Sequence, residues 1–437
     1  MSENITIIRG RVLSFLSEPM NVTDSNSYIF IKDGALAISE GKIVGRGEYA
    51  DISAVNKGAK TIDHRPHLLM AGFIDPHIHF VQMQVVASYA ANLLEWLNKY
   101  TFIEEQKFAK LDHASMIATA FFDELIANGT TTASAYCSVH SNSVEAFFSE
   151  AKKRNMAMIA GKVMMDRNCP NELQDNAQSS YDDSKKLIEK WHGQGRLKYA
   201  ITPRFAITST PEQLEMAGAL LSQYPDCYLQ THLSENDAEI ALTKQLYPEH
   251  KDYTSIYAHY GLLGKKSLFG HAIHLSESEL ELMADSASVA VSCPTSNLFL
   301  GSGLFDLEKT QNAGVRAAVA TDIGGGTSYS MLQTFADFYK VQQMLGNRLN
   351  PLKSFYMMTL GNAKALSLEA EIGSLEIGSY ADIVVLNNSA TSAMKIRAKT
   401  ITTLAEELFL LQTLGDDRAI EQTYVAGHAM KNMFTSI

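Results

Sequence analysis

The sequence has little of what would cross-link a chain, anchor it in a membrane or attract it to nucleic acid. Only 4 of its 437 residues are cysteines, and none forms a CxxC pair, which predicts reduced and mostly buried thiols. No apolar run approaches the ~18–20 residues that span a bilayer. The N-terminal stretch MSENITIIRGRVLSF lacks a basic start followed by a long apolar core, so we expect no signal peptide and a cytoplasmic location.

Positive charge is also scarce. The 37 Lys and Arg residues are outnumbered by 48 Asp and Glu, which gives a formal net charge of −11, and no basic cluster interrupts that balance. Such a surface repels phosphate backbones and anionic lipid, so we predict neither a nucleic-acid nor a membrane partner. A small neutral or cationic ligand is compatible with it, and a hydrophobic content of 46% is enough for a substantial core.

A regular alternation of strand-like and helix-like segments begins near Leu69. Eight short runs of β-branched or small apolar residues alternate with longer helical stretches, which is typical of βα units and a parallel sheet. Eight such repeats match the size of a (β/α)8 barrel, so the predicted fold class is α/β, with a TIM barrel over residues 71–370. The runs are GFIDPH, TTASAY, AMIAGKVMM, KYAITPRF, CYLQTH, SLFGHAIH, SVAVSC and VRAAVATDI.

The two ends of the chain share a different, glycine-punctuated strand pattern. Near the N-terminus, Asp33-Gly34 and Glu40-Gly41 break β-rich runs, which is typical of hairpin turns. The segment EIGSLEIGSYADIVVLNN, which follows the last repeat, resembles this N-terminal block. We therefore predict that residues 1–70 and 371–437 together build a small β-sandwich domain beside the barrel.

Polar side chains fall where the predicted barrel strands end, and barrel enzymes place their chemistry at that rim. Residues i and i+2 of a strand point to the same side, so the two imidazoles of the first run can converge. One HxH pair among 13 histidines is weak evidence alone, but imidazoles and a carboxylate from several strands suit a divalent ion such as zinc. The polar residues at the strand ends are His77, His79, Arg204, His232, His271 and Asp322.

Nine segments spread along most of the chain carry a further signal. They are GFIDPHIHFVQ, LLEWLNKYTF, GTTTA, GKVMMDRN, ITPRFA, THLSEN, CPTSNLFLGSGLF, TDIGGGTSYSMLQT and TLGDDR. Together they resemble the amidohydrolase superfamily and, within it, the guanine deaminase family. HxH with a late Asp is typical of the superfamily, whereas the combination of HxHxxQ, TPRF and HLSEN is typical of the guanine deaminases. The resemblance implies a homodimer that converts guanine and water into xanthine and ammonia.

The resemblance also implies a metal ligand set. One Zn2+ per subunit is expected, with Fe2+ as the alternative, because the same ligands accept several divalent ions. A bound metal lowers the pKa of its water from about 15.7 to about 7, which provides a nucleophile at neutral pH. For each histidine taken alone, structural hydrogen bonding is the competing interpretation. The implied ligands are His77, His79, His232, His271 and Asp322.

Three residues are candidates for proton transfer. Asp322 can accept the proton of the water, and His271 can hold the nucleophile in line for attack. Glu235, three residues after His232, can protonate a ring nitrogen and then the departing amine. The alternatives are a turn-capping role for Asp322, within TDIGGGTS, and a surface position at the start of a helix for Glu235.

Gln82 and Arg204 are the candidate substrate readers. A guanidinium can donate to the O6 acceptor of guanine, and a side-chain amide can both donate and accept. Phe205 is expected to pack against the flat base, with a core position as the alternative, and the alternative for Arg204 is a structural ion pair at the barrel rim. The expected substrate contacts are completed by His232, Glu235 and Asp322.

Two rival functions stay open. A related aminohydrolase would act on another amino-substituted heterocycle, such as 8-oxoguanine, a pterin or a triazine, with the same metal ligands and different readers. A non-catalytic scaffold of the same fold is the second rival, and stoichiometric metal binding would separate it from an enzyme. Lys162 could suggest the carboxylated lysine that binds both ions in two-metal relatives. The deaminase relatives hold one metal, so we predict a structural role for Lys162.

Overall fold

The computed structural model describes residues 5–89, 93–431 and 433. None of the helices in these ranges combines the length and the apolar character needed to cross a bilayer. The strands are β1 (Thr6–Phe15), β2 (Tyr28–Ser39), β3 (Lys42–Glu48), β4 (Lys60–Ala71), β5 (Phe73–His79), β6 (Thr130–Tyr136), β7 (Ala157–Gly161), β8 (Val163–Met164), β9 (Leu197–Pro203), β10 (Tyr228–Leu233), β11 (Ser267–His271), β12 (Val289–Ser292), β13 (Arg316–Val319), β14 (Ile383–Leu386), β15 (Ile420–Val425) and β16 (His428–Ala429).

Helices connect most of these strands. The α-helices are α1 (Tyr49–Val55), α2 (Leu93–Trp96), α3 (Phe102–Glu105), α4 (Leu111–Ala127), α5 (Ser141–Lys153), α6 (Ala177–Trp191), α7 (Pro211–Gln223), α8 (Asp237–Leu246), α9 (Tyr253–His259), α10 (Glu277–Asp285), α11 (Pro294–Phe299), α12 (Leu307–Asn312), α13 (Met331–Met344), α14 (Pro351–Tyr356), α15 (Asn362–Ala365), α16 (Ser392–Ala398) and α17 (Leu404–Leu414). Leu97–Thr101 and Met357–Gly361 are π-helical. The 3-10 turns are Ser25–Ser27, Phe80–Val85, Gln106–Ala109, Asn171–Leu173, Ala206–Thr208 and Asp417–Ala419.

Eight parallel strands form a nearly closed barrel, which confirms the predicted fold class. Hydrogen bonds link them in the order β13, β12, β11, β10, β9, β7, β6 and β5, and the two-residue β8 also pairs with β9. The predicted run AMIAGKVMM is therefore two strands, because the backbone breaks at Lys162. Arg204 and Asp322 lie just past the ends of β9 and β13, in the loops above the barrel.

The barrel closes between β5 and β13 through contacts outside the strand ladder. The Asp322 N–H donates to the His77 carbonyl over 2.9 Å. Lower in the barrel, Asn362 Nδ2 donates to the carbonyls of Ile74 (2.8 Å) and Val319 (2.9 Å), and its Oδ1 accepts the Val319 N–H (3.3 Å). Asn362 thus makes the hydrogen bonds to buried backbone groups of β5 and β13 that direct pairing of these two strands would otherwise provide.

Strands from both chain ends form a second, seven-stranded sheet, as predicted. Its order is β16, β15, β14, β4, β1, β2 and β3, with β1 and β4 parallel and the other pairs antiparallel. Gly72 connects β4 to β5, and a Cβ there would lie only 2.2 Å from Thr131 Oγ1, so the junction requires glycine. The domain division at residues 70 and 371 stays a prediction.

One of the two predicted hairpin turns is present. Glu40 and Gly41 connect β2 to β3 with φ of 49° and 77°, the left-handed values that a tight hairpin needs. The turn predicted at Asp33-Gly34 is wrong, because β2 runs through it. Gly34 lies opposite Gly10, where the β1 register shifts, and a Cβ on Gly34 would approach Val12 Cγ2 to 2.7 Å. Close strand packing, rather than a turn, accounts for this glycine.

The barrel interior changes character from bottom to top. Its lower part is an apolar cluster that includes Ile74, Ile159 and Leu268 and continues into Leu366, just past α15. Towards the carboxyl ends of the strands, polar groups take over. Gln230 accepts the Ser134 hydroxyl over 2.8 Å, an example of a fully satisfied buried polar contact. Chemistry is therefore confined to the upper rim.

Replacing Asn362 by Ala is expected to lower the free energy of unfolding by about 2–4 kcal/mol, because it leaves buried carbonyls of two strands without a donor. Urea denaturation followed by circular dichroism measures the change. Asn171 is exposed and makes no side-chain hydrogen bond within the described residues, so N171A is the control and should stay within ~0.5 kcal/mol of the unmutated protein. Equal stabilities of N362A and N171A would contradict this account of barrel closure.

Candidate active site

Four imidazoles and one carboxylate meet at the top of the barrel. His79 Nε2 lies 3.1 Å from His232 Nε2, which brings the ends of β5 and β10 together. Asp322 Oδ1 lies 3.3 Å from His77 Nε2 and 3.4 Å from His79 Nε2, and its Oδ2 lies 3.7 Å from His271 Nε2. The five residues predicted as metal ligands are thus one buried cluster.

The donor set and its surroundings fit a metal ion. His77 Nε2 is buried and lies 3.3 Å from Asp322 Oδ1, but it makes no hydrogen bond of acceptable geometry with any described residue, although buried polar atoms are rarely left so. The outward nitrogens of two other rings are held from behind: His232 Nδ1 lies 2.7 Å from the Arg204 carbonyl, and His271 Nδ1 lies 2.9 Å from Asn297 Oδ1. Such outer partners orient the Nε2 atoms of metal-binding histidines.

The electrostatics favour three neutral rings beside one anion. Burial lowers the pKa of His77, His79 and His232, because charging an imidazole away from water is costly. For the fourth ring, His271, burial is outweighed by the carboxylates of Glu235 and Asp322, which raise its pKa. Burial alone would raise the pKa of Asp322, but the adjacent imidazoles of His77, His271 and His232 outweigh it and lower that pKa to about 2. The cluster therefore offers free imidazole lone pairs and an ionised carboxylate.

The backbone around this cluster is unusual. His271 has a φ of 67° and Asp322 a φ of 53°, in the left-handed region that residues other than glycine seldom occupy. Such conformations cost of the order of 1–3 kcal/mol and persist where neighbouring contacts impose them. For Asp322 those contacts include Asp75, whose carboxylate accepts the Thr321 N–H over 3.1 Å and the Thr321 hydroxyl. Burial raises the pKa of Asp75 to about 7.

Glu235 reaches the cluster from the loop after β10. Its Oε2 lies 3.5 Å from His271 Nε2, and its Oε1 accepts the Ser302 hydroxyl over 2.9 Å. Its N–H donates to Glu239 Oε2 over 2.7 Å, which fixes the loop at the start of α8. Burial raises the pKa of the Glu235 carboxyl, and the nearby His271 opposes the rise. The surface position considered for Glu235 is wrong, since its exposed fraction is 3%.

A partly open cavity lies above the cluster. Its floor carries ligand candidates, and its wall carries Gln82, Arg204 and Phe205, the three predicted substrate readers. Arg204 also forms a buried ion pair, with its Nη1 2.8 Å from Glu105 Oε2, so the structural ion pair is present, and the role of Arg204 as a substrate reader stays a prediction. The complete lining is His79, Gln82, Leu93, Trp96, Leu97, Arg204, Phe205, His232, Glu235, His271, Ser296, Leu300, Asp322 and Gly325.

Several neighbours of the site escaped the sequence analysis. Tyr136 stacks on His79, with ring centroids 4.5 Å apart, and it ends the second predicted run, so its position was a usable signal. Cys293, grouped with His77, His271 and Asp322 as possible ligands, directly follows β12. Glu105 carries no such signal, because it lies outside any barrel strand. Lys162 lies outside the cavity lining and pairs with Asp175 at 2.5 Å.

The comparisons with known proteins agree with this geometry. Residues 68–430 match the amidohydrolase family. The chain is 48% identical to guanine deaminase of Escherichia coli over 399 residues, or 91% of both chains. The solved E. coli guanine deaminase superposes with a TM-score of 0.94 at 45% identity, covering 97% of this chain and 99% of the other. Guanine deaminase from C. acetobutylicum, with guanine bound in its active site, gives 0.87 at 32% identity, covering 98% and 100%.

The fold, the cluster and the family match define the class: the chain belongs to the amidohydrolase family. The relatives compared above, which share 32–48% of their residues with it, are guanine deaminases.

Replacing His79 by Asn is expected to lower the affinity for a divalent metal by at least about 100-fold, because loss of a ligand should cost no less than loss of an outer partner. Metal per chain, measured by plasma mass spectrometry after dialysis against a metal buffer, reports the change. His113 lies outside the cluster, with its ring 5.0 Å from that of Phe108, so H113N should keep its metal. Full metal content in H79N would exclude His79 as a ligand.

Proposed function

We propose that this protein is a guanine deaminase, which hydrolyses guanine to xanthine and ammonia. The observation that carries the proposal is that one cavity is lined both by His79, His232, His271 and Asp322 of the cluster and by the predicted readers Gln82, Arg204 and Phe205. A planar, polar heterocycle suits such a lining, because its faces need apolar contacts and its edges need hydrogen bonds. The 48% identity to a guanine deaminase supports guanine as that heterocycle.

The proposed cofactor is one Zn2+ per subunit, with Fe2+ as the alternative. Its proposed ligands are His77, His79, His232, His271 and Asp322, and the unpartnered His77 Nε2 supports the assignment. When bound, the metal supplies Lewis acidity, which brings the pKa of a water molecule from about 15.7 down to about 7. The residues of the chain then have to position that water and move its protons.

Asp322 is the proposed acceptor of the first proton. Its two oxygens face three different imidazoles, so the carboxylate is held with its charge directed into the cavity floor. His271 Nε2, between Glu235 and Asp322, is placed to orient the attacking oxygen. In this step the C2–O bond forms, and the π electrons of the ring move to a ring nitrogen.

Glu235 is the proposed proton shuttle. Its carboxyl lies on the cavity wall within 3.5 Å of His271, on the same side as the attacking group. It protonates the ring nitrogen as the C2–O bond forms, and then protonates the amine, so that the C2–N bond breaks and ammonia leaves. One carboxyl can serve both steps because the proton that Asp322 takes from the water passes to Glu235 after the first transfer. The remaining hydroxyl proton returns to Glu235 when the C2 carbonyl forms.

Gln82, Arg204 and Phe205 are the proposed substrate readers. Arg204 donates to O6 of guanine, and the Gln82 amide pairs with the ring edge beside it. Phe205, 5% exposed and with its ring 6.3 Å from that of His232, covers a face of the base. The ring of His232 and the carboxyls of Glu235 and Asp322 complete the substrate contacts.

A cytoplasmic homodimer is the proposed state of the enzyme. The resemblance to the guanine deaminases supports the dimer, and light scattering on a size-exclusion column measures it. Three of the four cysteines are buried, and all four are free thiols, which supports a reducing compartment.

Guanine added to the metal-loaded protein is expected to give stoichiometric xanthine and ammonia, with no ammonia from adenine or cytosine. Ultraviolet difference spectra follow the ring, and a coupled assay follows ammonia. Adenine lacks the oxo group that Arg204 reads and carries its amine at a different carbon. Ammonia from a triazine or a pterin but not from guanine would retain the chemistry and refute the assignment of the readers.

Replacing Glu235 by Gln is expected to lower kcat by about 10²–10⁴-fold while metal content stays at the level of the unmutated enzyme, because the amide cannot shuttle protons. Steady-state kinetics and metal analysis on the same sample test both parts. E277Q, at an exposed glutamate near the start of α10, is the matched control and should be unchanged. Normal turnover in metal-replete E235Q would eliminate the shuttle.

A further inference from the structure

Both candidate readers are held by one buried residue that does not itself line the cavity. Glu105, at the end of α3, has an exposed fraction of 0%. Its Oε1 and Oε2 lie 3.0 and 2.8 Å from Arg204 Nη1, and its Oε1 also accepts from Gln82 Nε2 over 2.9 Å. A single carboxylate thus sets the positions of a guanidinium and an amide that come from two different strand ends.

The geometry leaves the ligand-facing parts of Arg204 free. Both Glu105 oxygens use the same nitrogen, Nη1, and no acceptor among the described residues takes the N–H groups of Nη2 or Nε. The Phe102 ring, three residues earlier on the same helical face, lies 5.4 Å from the guanidinium carbon and limits its rotation. Arg204 is therefore held from behind while its other donors remain available.

The same carboxylate fixes the polarity of the Gln82 amide. A carboxylate only accepts hydrogen bonds, so the amide nitrogen must face Glu105, and the Gly324 N–H lies 3.4 Å from Gln82 Oε1 on the other side. Turning the amide over would set oxygen against carboxylate and N–H against N–H. The Gln82 side chain therefore keeps one amide hydrogen and one carbonyl lone pair for a ligand, and the positions of this donor and this acceptor are fixed.

We propose that Glu105 is a positioning residue that sets the donor and acceptor pattern by which Arg204 and Gln82 select 6-oxopurines. The inference rests on the proposed function and deepens it. Without the carboxylate, Arg204 loses the partner that aims it, and Gln82 can present either end of its amide. A purine without the oxo group makes few of these hydrogen bonds, so its kcat/KM should change little when the Glu105 carboxylate is removed.

The test variant is Glu105→Gln, which conserves size and removes the charge. The oxygen of the new amide is drawn to cationic Arg204, so its NH2 faces Gln82 and turns that amide over. For guanine, kcat/KM is expected to fall about 100-fold, since misplaced polar readers reject their substrate strongly. For 2-aminopurine, which keeps the C2 amine and lacks the oxo group, kcat/KM, or Ki where turnover is slow, should change less than about 3-fold.

A matched control removes a buried ion pair elsewhere. Asp382 pairs with Arg196 at the amino end of β9 and lies outside the cavity lining, so D382N should leave the guanine to 2-aminopurine ratio unchanged. The ratio does not depend on the fraction of folded enzyme, because both substrates meet the same sample. If E105Q fails to fold, E105D keeps the charge but retracts the carboxylate by one methylene, and the same loss of guanine preference is expected.

A parallel fall for both purines in E105Q or E105D would show a structural role only and overturn the inference, as would an unchanged preference for guanine. Failure of the proposed function is a different result, because the unmutated protein would then form no xanthine from guanine. In that case 2-aminopurine fluorescence, displaced by guanine, still reports whether the variant has lost its preference for the oxo group.

Discussion

The hydrogen bond from the Asp322 N–H to the His77 carbonyl joins the last and first strands of the barrel, and the geometry of the site depends on it. It brings the His–x–His pair and the late aspartate within 3.3–3.4 Å of each other. The Asp75–Thr321 contact lies directly below and braces the same junction. On the opposite side, His77 packs where a Cβ on Gly270 would come within 2.4 Å of its ring, so a side chain there would displace the first ligand candidate. The cluster is therefore a property of the closed barrel rather than of any one strand.

Burial of charge is the second constraint, and it explains why several residues have two partners. An unpaired charge in a water-poor site costs several kcal/mol, so each charged reader or acid needs a local counterpart. Arg204 has Glu105, Asp322 has the imidazoles, and Glu235 has His271 and the Ser302 hydroxyl. The ion pair with Glu105 allows the Arg204 guanidinium to lie beside the apolar part of the cavity lining.

Much of the fold and of the cluster could be predicted because the signals are local. The eight barrel strands are short apolar runs, and His77, His79, His232 and His271 lie within the ends of such runs. Glu105 could not be predicted, because its contact with Arg204 spans 99 residues and leaves no spacing pattern. The role of Asn362 was missed for the same reason, because nothing in the sequence around an asparagine at the start of a helix indicates that its amide bridges two distant strands. The Asp33-Gly34 turn failed because glycine serves close strand packing as readily as a turn.

The apolar part of the cavity contributes to the chemistry as well as to binding. Leu93, Trp96 and Leu97 form an apolar part of the cavity lining, and they precede Phe102 and Glu105 along the same stretch of chain. Such a lining excludes water, so hydrogen bonds from Arg204 and Gln82 act at low dielectric and discriminate more sharply than they would in solvent. This stretch supplies both an apolar part of the lining and the carboxylate that pairs with Arg204 and Gln82. The apolar lining and the hydrogen bonds that hold Arg204 and Gln82 in place thus depend on one short piece of backbone.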